Sequence, residues 1–309
     1  MPVSSEFAHR FMQNENNKFI NWLLFLLISV IWGSSFILMK KGMFGSAGQT
    51  TLSSYQVAAV RIASAGIFLL PVALNRLGKI PRNKFIYIIL SGFIGSFLPA
   101  FLFCVAELRI DSSLAGFLNA LTPIFTIVIG AFFFHSKIAK GKAIGVALAF
   151  AGMLLLFLAK GEFNFQYLSF ASFVLIATIC YGFNVNIVGR YLSDVSSTNI
   201  SAIGFAALVL PALVILYSTG FFQLPLSDRD MFRSTLASVV LGIMGTAVAH
   251  ILFYILLKRA GTLFASMVTY GAPFVALGWG LLDGEFITPL QVLGLAIILT
   301  GVYRVSRAS

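Results

Sequence analysis

The chain alternates long, continuously apolar runs with short polar breaks. An α-helix needs about 20 mostly apolar residues to cross the hydrocarbon core of a bilayer. Ten runs approach this length, at about residues 20–39, 55–75, 85–106, 111–133, 142–159, 167–189, 198–218, 234–257, 262–282 and 289–306. Because the runs do not alternate apolar with polar residues, they predict helices and not the strands of a membrane barrel. We therefore expect an all-α membrane protein with ten transmembrane helices.

The composition argues against an ordinary soluble domain. The chain is 59% hydrophobic and 10% charged, whereas soluble domains are about 45–50% apolar and about 25% charged. Its net charge of +11 comes from basic residues in the breaks between runs, and nucleic-acid binding needs them on one soluble face. Cys104 and Cys180 lie inside apolar runs without metal-ligand spacing. We expect a small-molecule substrate and the bilayer as partners, and no nucleic acid, metal or cofactor.

The distribution of basic residues predicts the orientation in the membrane. Of the 21 Lys and Arg residues, 14 fall on the side of the N-terminus, six fall on the opposite side, and Arg61 lies within a span. Cytoplasmic connections carry an excess of Lys and Arg, so we expect both termini in the cytoplasm. Residues 1–19 are then a polar cytoplasmic segment and residues 307–309 a cytoplasmic tail. The expected location is a bacterial-type cytoplasmic (inner) membrane.

The two halves of the chain resemble each other. Shifting the sequence by 149 or 150 residues brings glycines, prolines and aromatic residues into register: Gly92 and Gly95 with Gly242 and Gly245, Pro123 with Pro273, Gly145 and Gly152 with Gly294 and Gly301, and Trp32 with Tyr181. This predicts five-helix repeats at residues 20–160 and 161–306. Because five is odd, the second repeat enters the membrane from the opposite side. Inverted repeats of this kind build secondary transporters, whose substrate site lies where the repeats meet.

Several motifs in a fixed order extend this interpretation. They are residues 31–36 with Lys40, residues 60–63 with Pro71, residues 112–123, residues 265–273 and residues 283–285. Together they resemble the EamA-type ten-helix carriers of the drug/metabolite transporter superfamily, over residues 20–306. The chain departs from that pattern after its fourth span, where it reads His135-Ser136 instead of Gly-Glu.

The resemblance implies a fold and a function. The fold is two inverted five-helix bundles around a central cavity. The function is secondary transport, with export favoured, of amino acids, related metabolites or amphipathic compounds by alternating access.

Two basic residues are candidates for the transport path. An Arg at the centre of an isolated span costs at least about 2.5–3.5 kcal/mol, so it usually faces the bundle interior or water. Arg61 therefore either serves a substrate carboxylate or a gate, or has a structural role in which it packs against backbone carbonyls or reaches back to the membrane surface. Lys40 either anchors its span at the interface or, as the resemblance implies, acts in a gate.

Other residues inside the apolar runs complete the candidate cavity: Trp32, Asn119, Tyr181, Asn184, His250 and Tyr270. Each also has a structural interpretation, because aromatic rings pack against neighbours, amides bond between helices, and a lone histidine is often a satisfied core residue. Pro123 and Pro273 predict kinks. Glycines spaced by seven residues predict close helix packing: Gly145, Gly152, Gly294 and Gly301.

Acidic residues are missing from the middle of the runs. Glu107 and Asp111 lie at a span end, where we expect them to be in water. The sequence thus favours a uniporter, an exchanger or a carrier coupled through other groups over one driven by an embedded carboxylate. A channel or lipid scramblase and an intramembrane enzyme remain alternatives, although neither charge rings nor a mid-depth catalytic cluster is evident. Substrate, flux direction, coupling ion and oligomeric state stay open.

Overall fold

The computed structural model describes residues 3–135, 140–159 and 165–307. This part of the chain is helical apart from its connections and one isolated bridge between Phe44 and Thr50. The helices are α1 (Val3–Met43), α2 (Ser54–Arg76), α3 (Arg82–Gly92), α4 (Leu98–Ala106), α5 (Ser112–Asn119), α6 (Thr122–Phe134), α7 (Lys140–Leu158), α8 (Phe165–Tyr191), α9 (Ser197–Ser218), α10 (Arg229–Val240), α11 (Ala249–Ser266), α12 (Val268–Leu282) and α13 (Pro289–Arg307).

Seven helical segments of the described residues are long and apolar enough to cross a membrane: Lys18–Met43, Ser54–Lys79, Arg82–Ala106, Ser112–Phe134, Leu168–Tyr191, Ser197–Ser218 and Arg229–Ser266. Three shorter apolar helices accompany them: Ala147–Leu156, Val268–Leu282 and Pro289–Gly301. Large apolar side chains such as Leu74, Phe132 and Leu210 point outward and are 68%, 75% and 71% exposed. A lipid-facing surface of this kind and the long apolar helices make this a multi-pass membrane protein.

Capping residues and one glycine determine where several helices begin or break. Ser53 and Gln56 form a capping box at the start of α2: the Ser53 hydroxyl accepts from the Gln56 amide at 3.2 Å, and Gln56 Oε1 accepts from the Ser53 amide at 2.9 Å. Gly261 adopts φ 86° and ψ 167°, a conformation that favours glycine. The helix turns there, so that residues 262–266 lead into α12.

The two predicted proline kinks differ in the structure. Pro123 lies in the first turn of α6, directly after a break in the helix at residues 120–121. Proline fits this position, because its missing amide would have no partner in a first turn anyway. Pro273 lies inside α12, and the corresponding break between α11 and α12 occurs earlier, at Met267.

Wide π-helical turns interrupt two of the spans. Phe93–Phe97 joins α3 to α4, and Leu241–Val248 joins α10 to α11. Such turns leave the regular i→i−4 ladder and frequently mark functional sites. Gly92 precedes the first turn and Gly242 lies within the second, and both touch a neighbouring helix: a Cβ on Gly242 would clash with the Arg61 carbonyl oxygen, and one on Gly92 would lie 3.1 Å from that of Gly204.

Small residues bring α7 and α13 into backbone contact. A Cβ on Gly152 would lie 2.7 Å from the carbonyl oxygen of Gly294, and a Cβ on Gly301 would lie 2.5 Å from that of Gly145. Real Cβ atoms do not approach other atoms this closely, so only glycine fits at both crossings. Close packing through small residues is a common way to associate helices in a bilayer, where the hydrophobic effect between them is lost.

The long helices α1 and α8 each pack along another helix across a glycine. α1 packs along α12, and α8 packs along α6. Glycine again marks both crossings, since a Cβ on Gly33 would lie 2.6 Å from the Ala272 carbonyl oxygen and one on Gly182 would lie 2.9 Å from the Phe125 carbonyl carbon. α2 packs along α9 at the side of the bundle. This arrangement leaves a cavity between α1 and α8.

Replacing Gly152 with Ala tests the contact between α7 and α13. The added methyl group must push the α13 backbone away, and overpacking of this kind costs about 1–3 kcal/mol. We expect a lower melting temperature for the purified protein in detergent. Gly278→Ala is the matched control, because a Cβ there meets no atom within 4 Å. Equal losses in both variants would contradict the contact.

Candidate functional site

A central cavity lies between α1 and α8. The space inside it, with the open solvent at its mouth included, is about 640 Å³. Its wall combines aromatic rings with polar side chains, which eight of its sixteen described residues carry, and converging polar groups of this kind are typical of small-molecule sites. Its wall consists of Trp32, Ser35, Phe36, Met39, Arg61, Gly95, Phe103, Asn119, Thr122, Tyr181, Asn184, Val185, His250, Phe253, Ser266 and Thr269.

The structure brings most of the residues nominated for the cavity together. Trp32, Arg61, Asn119, Tyr181, Asn184 and His250 lie in its wall. Tyr270 is not among these wall residues, whereas its neighbour Thr269 is, because successive residues of a helix point about 100° apart. The Tyr270 hydroxyl is buried without a hydrogen-bond partner in the described part of the chain.

Arg61 is buried in α2 and does not reach the membrane surface; it is 6% exposed. Its Nε donates to Thr246 Oγ1 at 2.7 Å, and its Nη1 lies 3.7 Å from Met39 Sδ. Among the described residues, no carboxylate lies within 4.0 Å of the guanidinium. A buried charge without a counter-ion costs several kcal/mol. The guanidinium therefore offers unused N–H donors to an anion in the cavity.

His250 joins the two π-helical turns. Its Nδ1 donates to the Thr246 carbonyl oxygen at 2.9 Å, since a carbonyl can only accept. Its Nε2 lies 2.8 Å from Ser96 Oγ and 3.2 Å from the Gly95 carbonyl oxygen. Thr246 thus holds both Arg61 and His250, one through its hydroxyl and the other through its carbonyl. The partners of both ring nitrogens are backbone carbonyl groups or the short side chain of Ser96, so the imidazole has a defined orientation.

Asn184 belongs to a second polar group beside the cavity. The Ser91 hydroxyl donates to Asn184 Oδ1 at 2.6 Å, and Asn184 Nδ2 donates to the Tyr254 hydroxyl at 3.2 Å. Asn186 instead bonds to carbonyl oxygens of Thr126 and Gly182, at 2.9 and 2.8 Å. Its amide therefore holds α8 against α6, as expected for a carboxamide between membrane helices.

Aromatic rings form the apolar part of the wall. Trp32 Nε1 donates to the Gly245 carbonyl oxygen at 3.2 Å, so the indole is fixed by the second π-helical turn. Its ring lies 5.0 Å from that of Phe253. On the other side, the rings of Phe103 and Tyr181 stack 6.1 Å apart. Flat rings on two sides suit a ligand with a flat or compact apolar portion.

One end of the bundle is closed by ion pairs, which we call the Lys40 cluster: Lys40, Lys41, Asp283 and Glu285. Lys40 Nζ lies 2.8 Å from Asp283 and 3.3 Å from Glu285, and Lys41 Nζ lies 2.9 Å from Asp283. The hydrogen bonds from both lysines lower the pKa of Asp283, although its partial burial raises it. Lys40 therefore links α1 to the segment between α12 and α13 and does more than face the interface.

Glu285 also caps a helix. Its two carboxylate oxygens accept from the backbone amides of Ser112 and Ser113, at 3.0 and 3.1 Å. These amides begin α5, where free N–H groups and the helix dipole favour an anion. The Glu285 side chain is only 3% exposed. The Lys40 cluster is thus tied to α5 as well as to α1.

The expectation that Glu107 lies in water is wrong. Glu107 follows the end of α4 and is 5% exposed. Its Oε2 accepts from the Ser112 hydroxyl at 3.2 Å, and its Oε1 is buried with no partner among the described residues. Ser112 therefore contacts both Glu107, through its hydroxyl, and Glu285, through its amide. Asp111 is partly exposed, which is closer to the expectation that it lies in water.

The opposite end of the bundle is closed by the Lys84 cluster: Lys84, Asp194 and Lys258. Lys84 Nζ lies 2.8 Å from Asp194 and donates to the Tyr191 carbonyl oxygen at 2.8 Å. Its hydrogen bond lowers the pKa of Asp194. Lys258 donates to the carbonyl oxygens of Ser193 and Val195. α3, α11 and the segment between α8 and α9 are therefore held together here.

Some wall residues were not nominated from the sequence. Thr269 carried a signal, because it lies 150 residues after Asn119 and both line the cavity. Phe103 and Phe253 are related in the same way. The sequence held no such signal for Thr122. Its hydroxyl donates to the Asn119 carbonyl oxygen at 2.7 Å, as the hydroxyls of serine and threonine in apolar helices commonly do.

Comparison with known proteins identifies the family. The model of the EamA-like transporter family matches residues 20–158 and 168–307. The chain belongs to the EamA-like transporter family. Two relatives share the name "Probable amino-acid metabolite efflux pump". The Salmonella typhimurium protein is 26% identical over 294 residues, covering 91% of this chain and 92% of its own, and the Escherichia coli protein is 27% identical over 293 residues, covering 91% and 93%.

The fold of this EamA-like transporter also matches a solved crystal structure. The TM-score is 0.62 at 17% sequence identity, over 94% of this chain and 97% of the other. At that identity the likeness establishes the fold alone. The family and the named relatives are transporters, so this EamA-like chain is a membrane transporter of small molecules.

Thr246→Val tests the support of Arg61. The substitution removes the hydroxyl that accepts from Nε, and hydrogen bonds to charged groups contribute about 1.5–3 kcal/mol. We expect a clearly lower melting temperature in detergent. Thr235→Val is the matched control, because the Thr235 hydroxyl donates only to the Met231 carbonyl oxygen one turn earlier. A Thr246→Val protein as stable as the control would show that the hydroxyl does not hold the guanidinium.

Proposed function

We propose that this protein is a secondary carrier that exports small metabolites bearing a carboxylate, amino acids among them, by alternating access. The observation that carries the proposal is Arg61, a buried guanidinium in the cavity wall with no acid within 4.0 Å among the described residues. A substrate carboxylate supplies the missing counter-charge, and a charge-assisted bond to arginine is strong in a water-poor site. The names of the two relatives, both amino-acid metabolite efflux pumps, support the same substrate class.

The rest of the wall fits the remainder of such a molecule. The rings of Trp32, Phe103 and Tyr181 accept an apolar side chain. The Asn119 and Asn184 amides and the nearby hydroxyls offer acceptors to an ammonium group. No carboxylate of the described residues lies in the wall, so the site favours an anion or a zwitterion over a cation.

Pairs of equivalent residues support an inverted repeat. Residues 149 or 150 positions apart line the same cavity: Trp32 and Tyr181, Ser35 and Asn184, Phe36 and Val185, Phe103 and Phe253, and Asn119 and Thr269. The two π-helical turns are also 150 residues apart in part of their length. We infer that the chain forms ten spans in two inverted five-helix halves, with α5–α6 as one span and residues 262–282 as another. Halves of this kind give outward- and inward-facing states of similar energy.

Equivalent contacts close the two ends. Lys84 Nζ donates to the Tyr191 carbonyl oxygen at 2.8 Å, and Ser234 Oγ donates to the Lys41 carbonyl oxygen at 3.0 Å. Ser234 lies 150 residues after Lys84, and Tyr191 lies 150 residues after Lys41. The same link between halves is therefore made once at each end. Alternating access requires such contacts to break at one end while they persist at the other.

Counterflow in liposomes tests the carrier. The purified protein is reconstituted into vesicles loaded with one unlabelled compound, and uptake of its labelled form is followed for neutral and aromatic amino acids, their decarboxylated amines and nucleosides. We expect saturable exchange of the amino acids and none of the amines. Loss of a charge-assisted bond to the carboxylate costs about 1.5–3 kcal/mol, so Arg61→Ala should weaken apparent affinity about 10- to 100-fold.

Two variants control this result. Arg61→Lys keeps the charge and should recover part of the affinity, whereas Arg76→Ala removes an exposed arginine at the end of α2 and should leave exchange unchanged. Equal exchange of amines and amino acids would contradict the carboxylate anchor. No counterflow for any compound by a folded protein would contradict the carrier and favour a channel, a lipid scramblase or an intramembrane enzyme.

Cysteine labelling tests the orientation. We infer an inner-membrane location with both termini in the cytoplasm, from the excess of Lys and Arg on that side. In a Cys104→Ala, Cys180→Ala background, Gln223→Cys should react with a membrane-impermeant maleimide in intact cells, because Gln223 is exposed at the Lys40 end. Asn83→Cys, exposed at the Lys84 end, should react only after the cells are permeabilised. The reverse pattern would place the termini outside.

A further inference from the structure

The charges of the Lys40 cluster balance without Glu107. Lys40 and Lys41 pair with Asp283 and Glu285, two cations with two anions. Glu107 lies next to this cluster and makes no ion pair within 4.0 Å among the described residues. An ionised Glu107 would therefore be a buried anion without a cation of its own. Such a group neutralises itself by taking up a proton when it has no better partner.

The hydrogen bonds around Glu107 also favour its protonated form. The two backbone amides at the start of α5 are already taken by Glu285. Glu107 receives only the Ser112 hydroxyl, on Oε2 at 3.2 Å, and Oε1 is buried with no partner. A stable carboxylate normally accepts several hydrogen bonds. One accepted bond and one bare oxygen suit the neutral acid better than the anion.

The surrounding charges and titratable groups agree. Burial raises the pKa of Glu107 well above its ordinary value of 4.5, and Glu285 raises it further, whereas the Ser112 hydroxyl, Lys40 and Arg61 lower it. The groups that face Glu107 are thus Glu285 from the segment before α13, Lys40 from α1, Arg61 from α2 and Ser112 from α5. Cys104, one turn earlier on α4, is buried.

We propose that Glu107 is a proton-binding site, occupied when the Lys40 end of the bundle is closed and emptied when that end opens. The proposal rests on the proposed function, because only a carrier opens this end. Opening separates Lys40 on α1 from Glu285 and α5, which lets water reach the carboxyl group. In water the acid ionises, and its proton passes to the solution on that side. Closing buries the group again and takes a proton back from the same solution.

The sign of the pH dependence follows from linkage. The closed state has the higher pKa, so it binds the proton more tightly than the open state does. Closure is stabilised in full below the ordinary value of 4.5, and this stabilisation is lost as the pH rises through the raised pKa. Between these two pKa values, the ratio of open to closed molecules rises about tenfold per pH unit.

A reporter cysteine in the cavity measures this ratio. Ser35→Cys places a thiol in the wall, in full-length protein that also carries Cys104→Ala and Cys180→Ala. A membrane-impermeant maleimide is added to right-side-out and, separately, to inside-out vesicles, from about pH 5 to about pH 8. Labelling from the Lys40 side should rise with pH. Thiols themselves react faster at high pH, so each rate is divided by that of the same reporter carrying Glu107→Gln, which keeps the group neutral at every pH.

Two further variants make the outcome decisive. Asp230→Asn removes another acid at the same end, one that binds Gln49 and Ser46, and should leave the pH dependence intact. Ser112→Ala removes the hydroxyl that favours ionised Glu107, so labelling from the Lys40 side should begin to rise at a higher pH. This second variant also decides the question if Glu107→Gln fails to fold, with a soluble thiol as the reference for maleimide reactivity.

Failure of this proposal and failure of the proposed function look different. A normalised labelling rate that does not change with pH, in a reporter protein that still performs counterflow, would overturn the proton site and leave the carrier standing. An unchanged midpoint in Ser112→Ala would also overturn it. Absence of counterflow in the reporter protein and in the unmodified protein would overturn the carrier itself. A pH-dependent ratio that disappears in Glu107→Gln and persists in Asp230→Asn supports the proton site.

Discussion

A guanidinium buried without an acid is the constraint on which the rest of the cavity depends. Arg61 has no neutralising carboxylate within 4.0 Å among the described residues, yet it is 6% exposed. The protein tolerates this charge because Thr246 accepts from it and because the cavity offers it water or a ligand. Thr246 in turn belongs to a π-helical turn and also holds His250. The irregular backbone of this turn therefore positions Arg61, His250 and Trp32 together.

The cavity wall contains equivalent positions from both halves of the chain but is asymmetric in charge. Equivalent residues such as Phe103 and Phe253, or Asn119 and Thr269, come from the two halves of the chain. Arg61 has no charged equivalent among the described wall residues, and the position 150 residues before His250 is Ala100. In the proposed carrier, Arg61 therefore holds the substrate carboxylate from the first half of the chain alone.

Much of this arrangement could be predicted from local sequence. Apolar runs marked the helices, and the register between the halves paired Trp32 with Tyr181, both of which lie in the wall. The same register relates Asn119 to Thr269, which was not nominated, and Tyr270 one position later is not among the wall residues. Glu107 could not be predicted to be buried. It accepts from Ser112, whose amide donates to Glu285 more than 170 residues away, and no local pattern encodes that second contact.

The two ends of the bundle differ in how firmly they are held. At the Lys84 end, the acid of the ion pair is 59% exposed, and exposed pairs contribute little because water and salt screen them. At the Lys40 end, the Glu285 side chain is 3% exposed and its carboxylate also caps α5. In the proposed carrier, opening that end must hydrate Glu285 and the start of α5, whereas Lys41 is already 61% exposed. The Lys84 end is therefore the easier one to open from this conformation, and a bound ligand must supply energy mainly at the Lys40 end, where a proton on Glu107 favours closure.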